Sequence, residues 1–364
     1  MNPPPKLEKP WRRISLRVAQ PREGLTWSEA LTSPCIACES APCCTHLTLH
    51  EFEVDGLTDL DYARYVLNFE RMLLGISPDG KWHVYYRAPC RYLEQHTLRC
   101  TIHDTPIQPN VCKNFSPYAC WYKASYGGPV SDTLIQIDRV RMDWILERTK
   151  FRDDRSIESM PSQDEMRAVF PTLPVVEDPP GPADEIVRAD AVYPAWKLLI
   201  KSGKPEEPAR EHSFAELDNP CNGCDAYCCT SLVFPQRSPI NHAQVDYFRY
   251  ALGFPGIELG VGGGNWTITI RTKCRHLNGT KCGVYGTGDR PLMCSYYDAH
   301  KCGYKHQFGP MRPQGFVRVR YEEFDAVASA FRFNETGITT KIPTADEVRA
   351  AIEASWRDGA TITE

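Results

Sequence analysis

The stretch CIACESAPCCTH, residues 35–46, places four cysteines within ten positions, and the last two of them are adjacent. A second stretch, CNGCDAYCCTS at residues 221–231, again has a Cys-x-x-Cys spacing followed by an adjacent pair. Cysteines at this density form disulfides, act as reactive thiols or bind metal. Because the pattern occurs twice, we expect the two stretches to share one chemistry.

Similar segments follow both cysteine stretches in the same order, which indicates an internal repeat. The matched segments are DLDYARYVLNFERMLLG (59–75) with QVDYFRYALGFPGIELG (244–260), KWHVYYRAPCRYL (81–93) with NWTITIRTKCRHL (265–277), IDRVRM (137–142) with FVRVRY (316–321), and MPSQDEMRAVF (160–170) with IPTADEVRAAI (342–352). A unit of this length is the size of a domain, so the chain is predicted to be a tandem duplication of one domain.

The repeat sets the expected domain boundaries. We expect an N-terminal arm at 1–32, a first cysteine-cluster domain at 33–170, a proline-rich linker at 171–218 and a second cysteine-cluster domain at 219–358. Proline clusters mark both ends of the linker, and its residues 183–202 predict a short helix that is interrupted near Pro194.

Each domain is predicted to be a small α+β unit. Apolar residues from Asp59 to Leu74 follow a helical stripe, whereas WHVYYR, WTITIR and VRVRY have the composition or alternation of strands. Ser162 with Glu165, and Thr344 with Glu347, predict the starts of helices as capping boxes. The cysteine segments are expected to be loops organised around metal.

Composition excludes several classes of function. The net charge of −4, without a basic stripe, gives no signature of nucleic-acid binding. No apolar segment approaches the ~20 residues that cross a bilayer, and the N-terminus lacks the apolar region of a secretory signal. We therefore expect a cytoplasmic protein, with no nucleic acid and no membrane as partner, in a compartment where thiols stay reduced.

All sixteen cysteines belong to the repeat, eight in each copy. Those of the first copy are Cys35, Cys38, Cys43, Cys44, Cys90, Cys100, Cys112 and Cys120, and those of the second are Cys221, Cys224, Cys228, Cys229, Cys274, Cys282, Cys294 and Cys302. Buried apolar cysteines need not recur as a complete set, and a reducing compartment disfavours disulfides. All sixteen are therefore predicted as metal ligands.

Four thiolates satisfy either a tetrahedral zinc ion or an iron–sulfur cluster, so the metal remains open at this point. The adjacent pairs Cys43–Cys44 and Cys228–Cys229 cannot easily both bind one zinc ion without distortion of the backbone. They suit a larger cluster, or two neighbouring sites with one thiolate each, and therefore favour an iron–sulfur cluster, such as a 4Fe–4S cluster, with zinc as the alternative cofactor.

The order of the cysteine motifs resembles the YkgJ-like cysteine-cluster family, which is described as zinc- or iron-chelating. The motifs are the Cys-x-x-Cys stretch with its adjacent pair, then CRHL (274–277), CGVY (282–285) and RPLMC (290–294), with CRYL (90–93), CTIH (100–103) and QPNVC (108–112) in the first copy. Gln108 replaces the arginine that the family has at this position, so a charge-dependent role of Arg290 is expected in the second copy alone.

Other repeated residues have more ordinary interpretations. Arg87, Arg91, Arg271 and Arg275 lie beside cluster cysteines in the sequence and are predicted to neutralise thiolate charge. Asp61, Tyr62, Asp246 and Tyr247 could be acid–base groups but are better explained as contacts between the repeats. No histidine recurs, so His46 and His50 are features of the first copy only. GVGGGNW (260–266) is predicted to be a turn before a strand.

The sequence thus predicts a protein that holds iron–sulfur clusters through cysteine thiolates, in support of a redox or modification reaction. The alternative is a structural or chelating zinc protein that acts as an interaction module. Metal ions are the expected partners, and the sequence identifies neither a protein partner nor a small-molecule substrate, nor a catalytic residue.

Overall fold

The structure is a computed structural model that describes residues 41–94, 99–103, 105–114, 121–126, 131–176, 226–297, 302, 304 and 316–360. The predicted arm at 1–32 and the predicted linker helix within 183–202 lie outside these residues. The fold is mixed α+β, as the sequence predicts, and contains several small antiparallel sheets.

The described residues contain strands that fall into the same order in both halves of the chain. They are β1 (His46–Phe52), β2 (Met72–Ile76), β3 (Trp82–Arg87), β4 (Leu93–Glu94), β5 (Arg99–Cys100), β6 (Ile135–Ile137), β7 (Lys150–Phe151), β8 (Ile157–Ser159), β9 (Ser231–Gln236), β10 (Ile257–Gly262), β11 (Asn265–Arg271), β12 (Leu277–Asn278), β13 (Lys281–Cys282), β14 (Val317–Val319), β15 (Arg332–Phe333) and β16 (Thr339–Lys341).

The helices alternate with these strands. They are α1 (Leu57–Leu67), α2 (Asn110–Lys113), α3 (Trp121–Tyr126), α4 (Arg139–Arg148), α5 (Gln163–Val169), α6 (Tyr227–Thr230), α7 (His242–Leu252), α8 (Leu292–Ser295), α9 (Phe324–Ala328) and α10 (Ala345–Ala360), with short 3₁₀ turns at Pro42–Cys44, Phe170–Thr172 and Tyr321–Glu323.

Two four-stranded antiparallel sheets form the centre of the structure. Their strand orders are β1-β3-β2-β6 and β9-β11-β10-β14, so each strand of the first sheet has a counterpart at the same place in the second. Trp82 begins β3 opposite Ile76. Trp266 lies at the equivalent place in β11, opposite Val261. The predicted strands WHVYYR and WTITIR are therefore confirmed.

A pair of glycines lets a chain segment lie close against each sheet. A Cβ atom at Gly75 in β2 would lie 2.6 Å from Leu134 Cδ1, and one at Gly260 in β10 would lie 2.8 Å from the ring of Phe316. Real Cβ atoms do not approach other atoms so closely, so glycine is required for this packing.

The predicted helix from Asp59 to Leu74 is too long. Helix α1 ends at Leu67, and Leu74 lies in strand β2. Arg71 adopts a left-handed backbone conformation with a φ of 64°, which turns the chain back along the sheet. Leu74 is buried as its apolar character predicts, but it reaches the core from a strand. The second repeat needs the same correction, because α7 ends at Leu252.

The match between IDRVRM and FVRVRY is wrong in its register. The strand pairing makes Ile137 equivalent to Val319, three positions away from the match made on the letters. After Ile137 the chain begins helix α4, because the Asp138 side chain accepts a hydrogen bond from Arg141 N and caps the helix. The half-buried strand predicted from VRVRY is confirmed as β14.

Both predicted capping boxes are confirmed. Ser162 Oγ accepts from Glu165 N at 3.2 Å while the Glu165 carboxylate accepts from Ser162 N at 2.7 Å. Thr344 and Glu347 exchange the equivalent bonds at 3.3 and 2.9 Å. The glycine-rich GVGGGNW forms the predicted turn, with positive φ angles at Gly263 and Gly264 between β10 and β11.

One continuous hydrophobic core contains side chains of both repeats. The two repeats also exchange equivalent backbone hydrogen bonds: Arg91 N donates to Gly253 O, and Arg275 N donates to Asn68 O, both at 2.8 Å. The end of each long helix, α1 or α7, therefore lies against a cysteine-bearing turn of the other repeat.

The outer faces of the two sheets differ in chemistry. In the first sheet, Leu73 packs with Tyr85 and Leu134 in a small apolar cluster. The position equivalent to Leu73 is Glu258, which is 3% exposed and accepts from Arg318 Nε at 2.6 Å. Burial raises the pKa of Glu258, but the positive charges of Arg318, then Arg320 and Arg271, outweigh burial and hold this pKa below its usual range.

We predict that Glu258→Gln lowers the free energy of unfolding by about 3 kcal/mol at pH 7, because it leaves buried guanidinium groups without their carboxylate. A carboxylate with a lowered folded-state pKa stabilises the protein above its unfolded-state pKa of about 4.3, and this contribution is lost as the pH falls through the folded-state pKa. The difference between wild type and variant in urea unfolding should therefore shrink below pH ~4.

The control variant is Glu51→Gln, which removes an exposed ion pair with Lys81 and should cost less than about 1 kcal/mol. Equal losses in the two variants, or a loss at Glu258 that does not change with pH, would contradict the role of this ion cluster.

Candidate metal centres

The structure describes eleven of the sixteen cysteines, and ten of them fall into two matching groups. The first thiol cluster consists of Cys43, Cys44, Cys90, Cys100 and Cys112, and the second thiol cluster consists of Cys228, Cys229, Cys274, Cys282 and Cys294. In each repeat the adjacent pair lies on a short helical turn, the next two cysteines lie on a turn and a short strand, and the last lies on a short helix. The prediction that the cysteine segments are loops is therefore wrong for eight of the eleven described cysteines.

The thiols of the first thiol cluster lie near enough to influence one another's ionisation. Burial, together with charge repulsion from Cys100 and Cys43, raises the pKa of Cys90 to about 12. Burial also raises the pKa of Cys112, and charge repulsion from Cys90, Cys100 and Cys43 raises it as well. Thiols from four separated segments of the chain thus lie near one another.

The second thiol cluster has the same arrangement. Burial raises the pKa of Cys294 to about 12, with repulsion from Cys228, Cys274 and Cys282 adding to the effect. The hydrogen bond with Cys228, followed by burial, raises the pKa of Cys229. Low polarity and like charges thus disfavour the thiolates of Cys90, Cys112 and Cys294, whereas a hydrogen bond with Cys44 lowers the pKa of Cys43.

Backbone N–H groups point at equivalent sulfurs in the two clusters. The Tyr92 N–H donates to the sulfur of Cys90, and the His276 N–H donates to the sulfur of Cys274, and both bonds lower the pKa of the thiol against the larger effect of burial. Hydrogen bonds from backbone amides to cysteine sulfur are typical of the turns that hold metal–thiolate centres.

The adjacent cysteines direct their sulfurs to the same side of the backbone. The Sγ–Sγ distance is 4.0 Å both for Cys43 with Cys44 and for Cys228 with Cys229. Two thiolates on one tetrahedral zinc ion, each with a Zn–S bond of about 2.3 Å, are about 3.8 Å apart. The spacing of the adjacent sulfurs is therefore close to that of two thiolates on one zinc ion.

A left-handed residue precedes each adjacent pair. Ala41 has a φ of 43° and Ala226 a φ of 56°, a conformation that costs an alanine roughly 1 kcal/mol or more. Ala41 O then accepts from Cys44 N, and Ala226 O accepts from Cys229 N, both at 2.8 Å. The same unfavourable backbone conformation thus orients the adjacent thiols in both repeats.

The described thiols are only part of each predicted ligand set. Cys35, Cys38, Cys120, Cys221 and Cys224 lie outside the described residues. Within the described residues, no three His, Cys, Asp or Glu side chains are arranged as ligands of one metal ion, and no disulfide joins any two of the eleven described cysteines. Cys302 is buried and accepts a hydrogen bond from the Tyr297 hydroxyl at 3.4 Å.

Two aspartates accept hydrogen bonds from the start of a cysteine-bearing helix, α2 or α8, in the opposite repeat. Asp246 Oδ2 accepts from Asn110 N at 2.6 Å, at the start of the helix that contains Cys112. Asp61 Oδ2 accepts from Leu292 N at 2.6 Å, at the start of the helix that contains Cys294. The prediction that these aspartates are contacts between repeats is confirmed.

The sequence motifs did not identify the tyrosines that lie beside the thiol clusters. Tyr250 donates to Cys43 O at 2.9 Å and is hydrogen-bonded to Tyr122, which follows the last cysteine of the first repeat by two positions. In the second repeat, burial raises the pKa of Tyr304 to about 12 while a hydrogen bond with Tyr65 lowers it. The recurrence of Cys-x-Tyr at 120–122 and 302–304 is the signal that could have identified them.

Basic residues affect the two clusters unequally. Arg91 and Arg275 lower the pKa of Cys90 and Cys274, respectively, against the larger effect of burial, which is the direction that their predicted electrostatic role requires. Arg290 acts in the same direction on Cys294. Its counterpart Gln108 is buried and uncharged, so the first thiol cluster lacks this positive charge. Arg271, in contrast, donates to Ser231 Oγ at 2.6 Å, and its positive charge lowers the pKa of Glu258.

The two histidines of the first repeat have hydrogen-bonded positions. His46 Nδ1 lies 3.0 Å from Thr45 Oγ1, and its ring stacks on Tyr126 at 3.9 Å. His50 Nε2 lies 3.1 Å from the Tyr62 hydroxyl, and burial lowers the pKa of His50. Hydrogen bonding and packing within the fold therefore account for the presence of both histidines.

No protein-family model matches the chain, and it has no significant match among curated proteins or solved structures. The resemblance to the YkgJ-like family therefore stays a prediction from the cysteine motifs. None of the helices in the described part of the chain is both long enough and apolar enough to cross a membrane.

We predict that Tyr250→Phe lowers the free energy of unfolding by about 1 kcal/mol, because the carbonyl of Cys43 loses its donor in a buried place. Urea unfolding measures this loss. The control variant Tyr285→Phe changes a tyrosine that is 54% exposed and should alter stability by less than about 0.5 kcal/mol. Equal stability of Tyr250→Phe and wild type would contradict the hydrogen bond from Tyr250 to Cys43 O.

Proposed function

We propose that this chain is a metal-binding protein in which the cysteine thiolates of each repeat hold a metal centre. The observation that supports the proposal most directly is that thiols from separate chain segments lie near one another in each repeat, where Cys90 N donates to Cys44 O and Cys274 N donates to Cys229 O, both at 2.7 Å. Cysteines that served only as apolar residues would not need to meet at equivalent places.

The chemistry of the donor set fits a metal. Most of these half-buried thiols with a resolved pKa shift resist ionisation, and a bound cation would reverse this preference because it deprotonates the thiols that coordinate it. The amide groups of Tyr92 and His276 would then stabilise the coordinated sulfurs, and Arg91 and Arg275 would offset part of the negative charge. A reducing compartment such as the cytoplasm would keep the thiols available.

An iron–sulfur cluster is our first candidate for the metal centre. Eight cysteines per repeat exceed the four ligands of one zinc ion, and a cluster would supply one-electron chemistry for a redox or modification reaction. The second candidate is zinc in an interaction module, which the 4.0 Å separation of the adjacent sulfurs favours.

We also propose that the two halves are a tandem duplication and that each is a YkgJ-like domain. The support consists of the repeated cysteine spacing together with the equal strand order of the two central sheets. The equal positions of Trp82 and Trp266, and of Gly75 and Gly260, agree with this proposal.

The proposal predicts that protein purified without oxygen contains stoichiometric metal. Iron with visible absorption and an electron paramagnetic resonance signal after reduction would identify a cluster, whereas a colourless protein with zinc would identify the second candidate. Cys112→Ser and Cys294→Ser should each remove about half of the metal, because a site loses affinity and local folding together when a ligand is removed.

The matched controls are Val111→Ala and Met293→Ala, which change exposed neighbours of the two cysteines and should keep the wild-type metal content. Wild-type protein without stoichiometric metal, or full metal content in Cys112→Ser combined with Cys294→Ser, would overturn the proposal.

A further inference from the structure

The short helices that contain Cys112 and Cys294 cannot cap their own first turns. A proline, Pro109 or Pro291, occupies the residue before each helix, and neither makes a side-chain cap. The first N–H groups of a helix have no partner within the helix, so they need an acceptor from elsewhere. The position of each cysteine therefore depends on a group outside its own segment.

The acceptor comes from the other repeat in both cases. Asp246 on α7 accepts from Asn110 N at 2.6 Å and from Val111 N at 3.4 Å. Asp61 on α1 accepts from Leu292 N at 2.6 Å. Both carboxylates are nearly buried, with side chains 9% and 5% exposed.

Arg64, one helical turn away, orients the carboxylate of Asp61. Arg64 lies 2.7 Å from Asp61 Oδ1, which leaves Oδ2 for the amide of Leu292. The equivalent arginine, Arg249, lies 3.9 Å from Asp246 Oδ1, beyond hydrogen-bond distance, and donates to Asp325 instead. The repeated Asp and Arg at a spacing of three therefore form a hydrogen bond in the first repeat but not in the second.

The same helices contact other parts of the opposite cluster. Tyr250 of α7 donates to Cys43 O at 2.9 Å. Arg275, next to Cys274, donates from its guanidinium to Leu67 O of α1 at 3.1 Å. Helix α7 therefore supports the first thiol cluster, and helix α1 supports the second.

We propose that Asp246 is a positioning residue for the metal centre of the first repeat, and Asp61 for that of the second. This inference rests on the proposed metal binding. Each carboxylate fixes the start of the helix that presents the last described cysteine of the cluster, and so it fixes the direction of that sulfur. Supporting residues of this kind typically change metal affinity by about 10- to 100-fold when they are removed.

The test uses the full chain, purified without oxygen, as wild type and as Asp246→Ala and Asp61→Ala. Each protein is treated with EDTA and N-ethylmaleimide, and mass spectrometry follows the labelling of Cys112 and Cys294 in the same sample. Asp246→Ala should raise the labelling rate of Cys112 about tenfold relative to Cys294, and Asp61→Ala should do the reverse. Asp246→Asn and Asp61→Asn keep an acceptor oxygen and should give smaller changes.

The ratio within one molecule separates positioning from general destabilisation, because partial unfolding would expose both cysteines. Equal labelling of the two cysteines in both variants, or faster labelling in the repeat that contains the substitution, would overturn the inference. If wild-type protein contained no metal but the crosswise pattern of labelling persisted, the proposed function would fail while the positioning of the cysteines would stand. If metal were present without the crosswise pattern, the inference alone would fail.

Discussion

Two buried carboxylates cap helices that belong to the opposite repeat, and the rest of the structure depends on this exchange. Asp61 and Asp246 accept hydrogen bonds from the first N–H groups of α8 and α2, whose preceding prolines make no side-chain cap. An unmatched carboxylate in such a place would be costly, as would unmatched amides. Each repeat therefore satisfies polar groups that the other cannot satisfy for itself.

This exchange explains why the thiol clusters lie where the repeats meet. The hydrophobic core continues from one repeat to the other, and the end of helix α1 or α7 lies against a cysteine-bearing turn of the opposite repeat. Tyr250 with Tyr122, and Tyr65 with Tyr304, make hydrogen bonds across the same boundary. Under the proposed function, metal binding in one repeat would also stabilise its contact with the other, because binding to a folded site adds to the stability of that fold.

Local signals in the sequence predicted local structure well. The β-branched run WTITIR and the Ser162–Glu165 pair indicated a strand and a helix start because such preferences act within a few residues. The end of α1 could not be predicted, since Arg71 adopts a conformation that non-glycine residues rarely have. The contact between Asp61 and Leu292 joins residues 231 positions apart, so periodicity could suggest an interface but not its partner.

Amide hydrogen exchange measured by NMR on the full chain tests the reciprocal capping most directly. The amides of Asn110 and Leu292 stand at the first turns of short helices, where they would exchange rapidly if only water accepted their hydrogen bonds. The account predicts that both exchange far more slowly than the amide of Gly264 at the tip of its hairpin. Exchange of Asn110 and Leu292 as fast as that of Gly264 would contradict it.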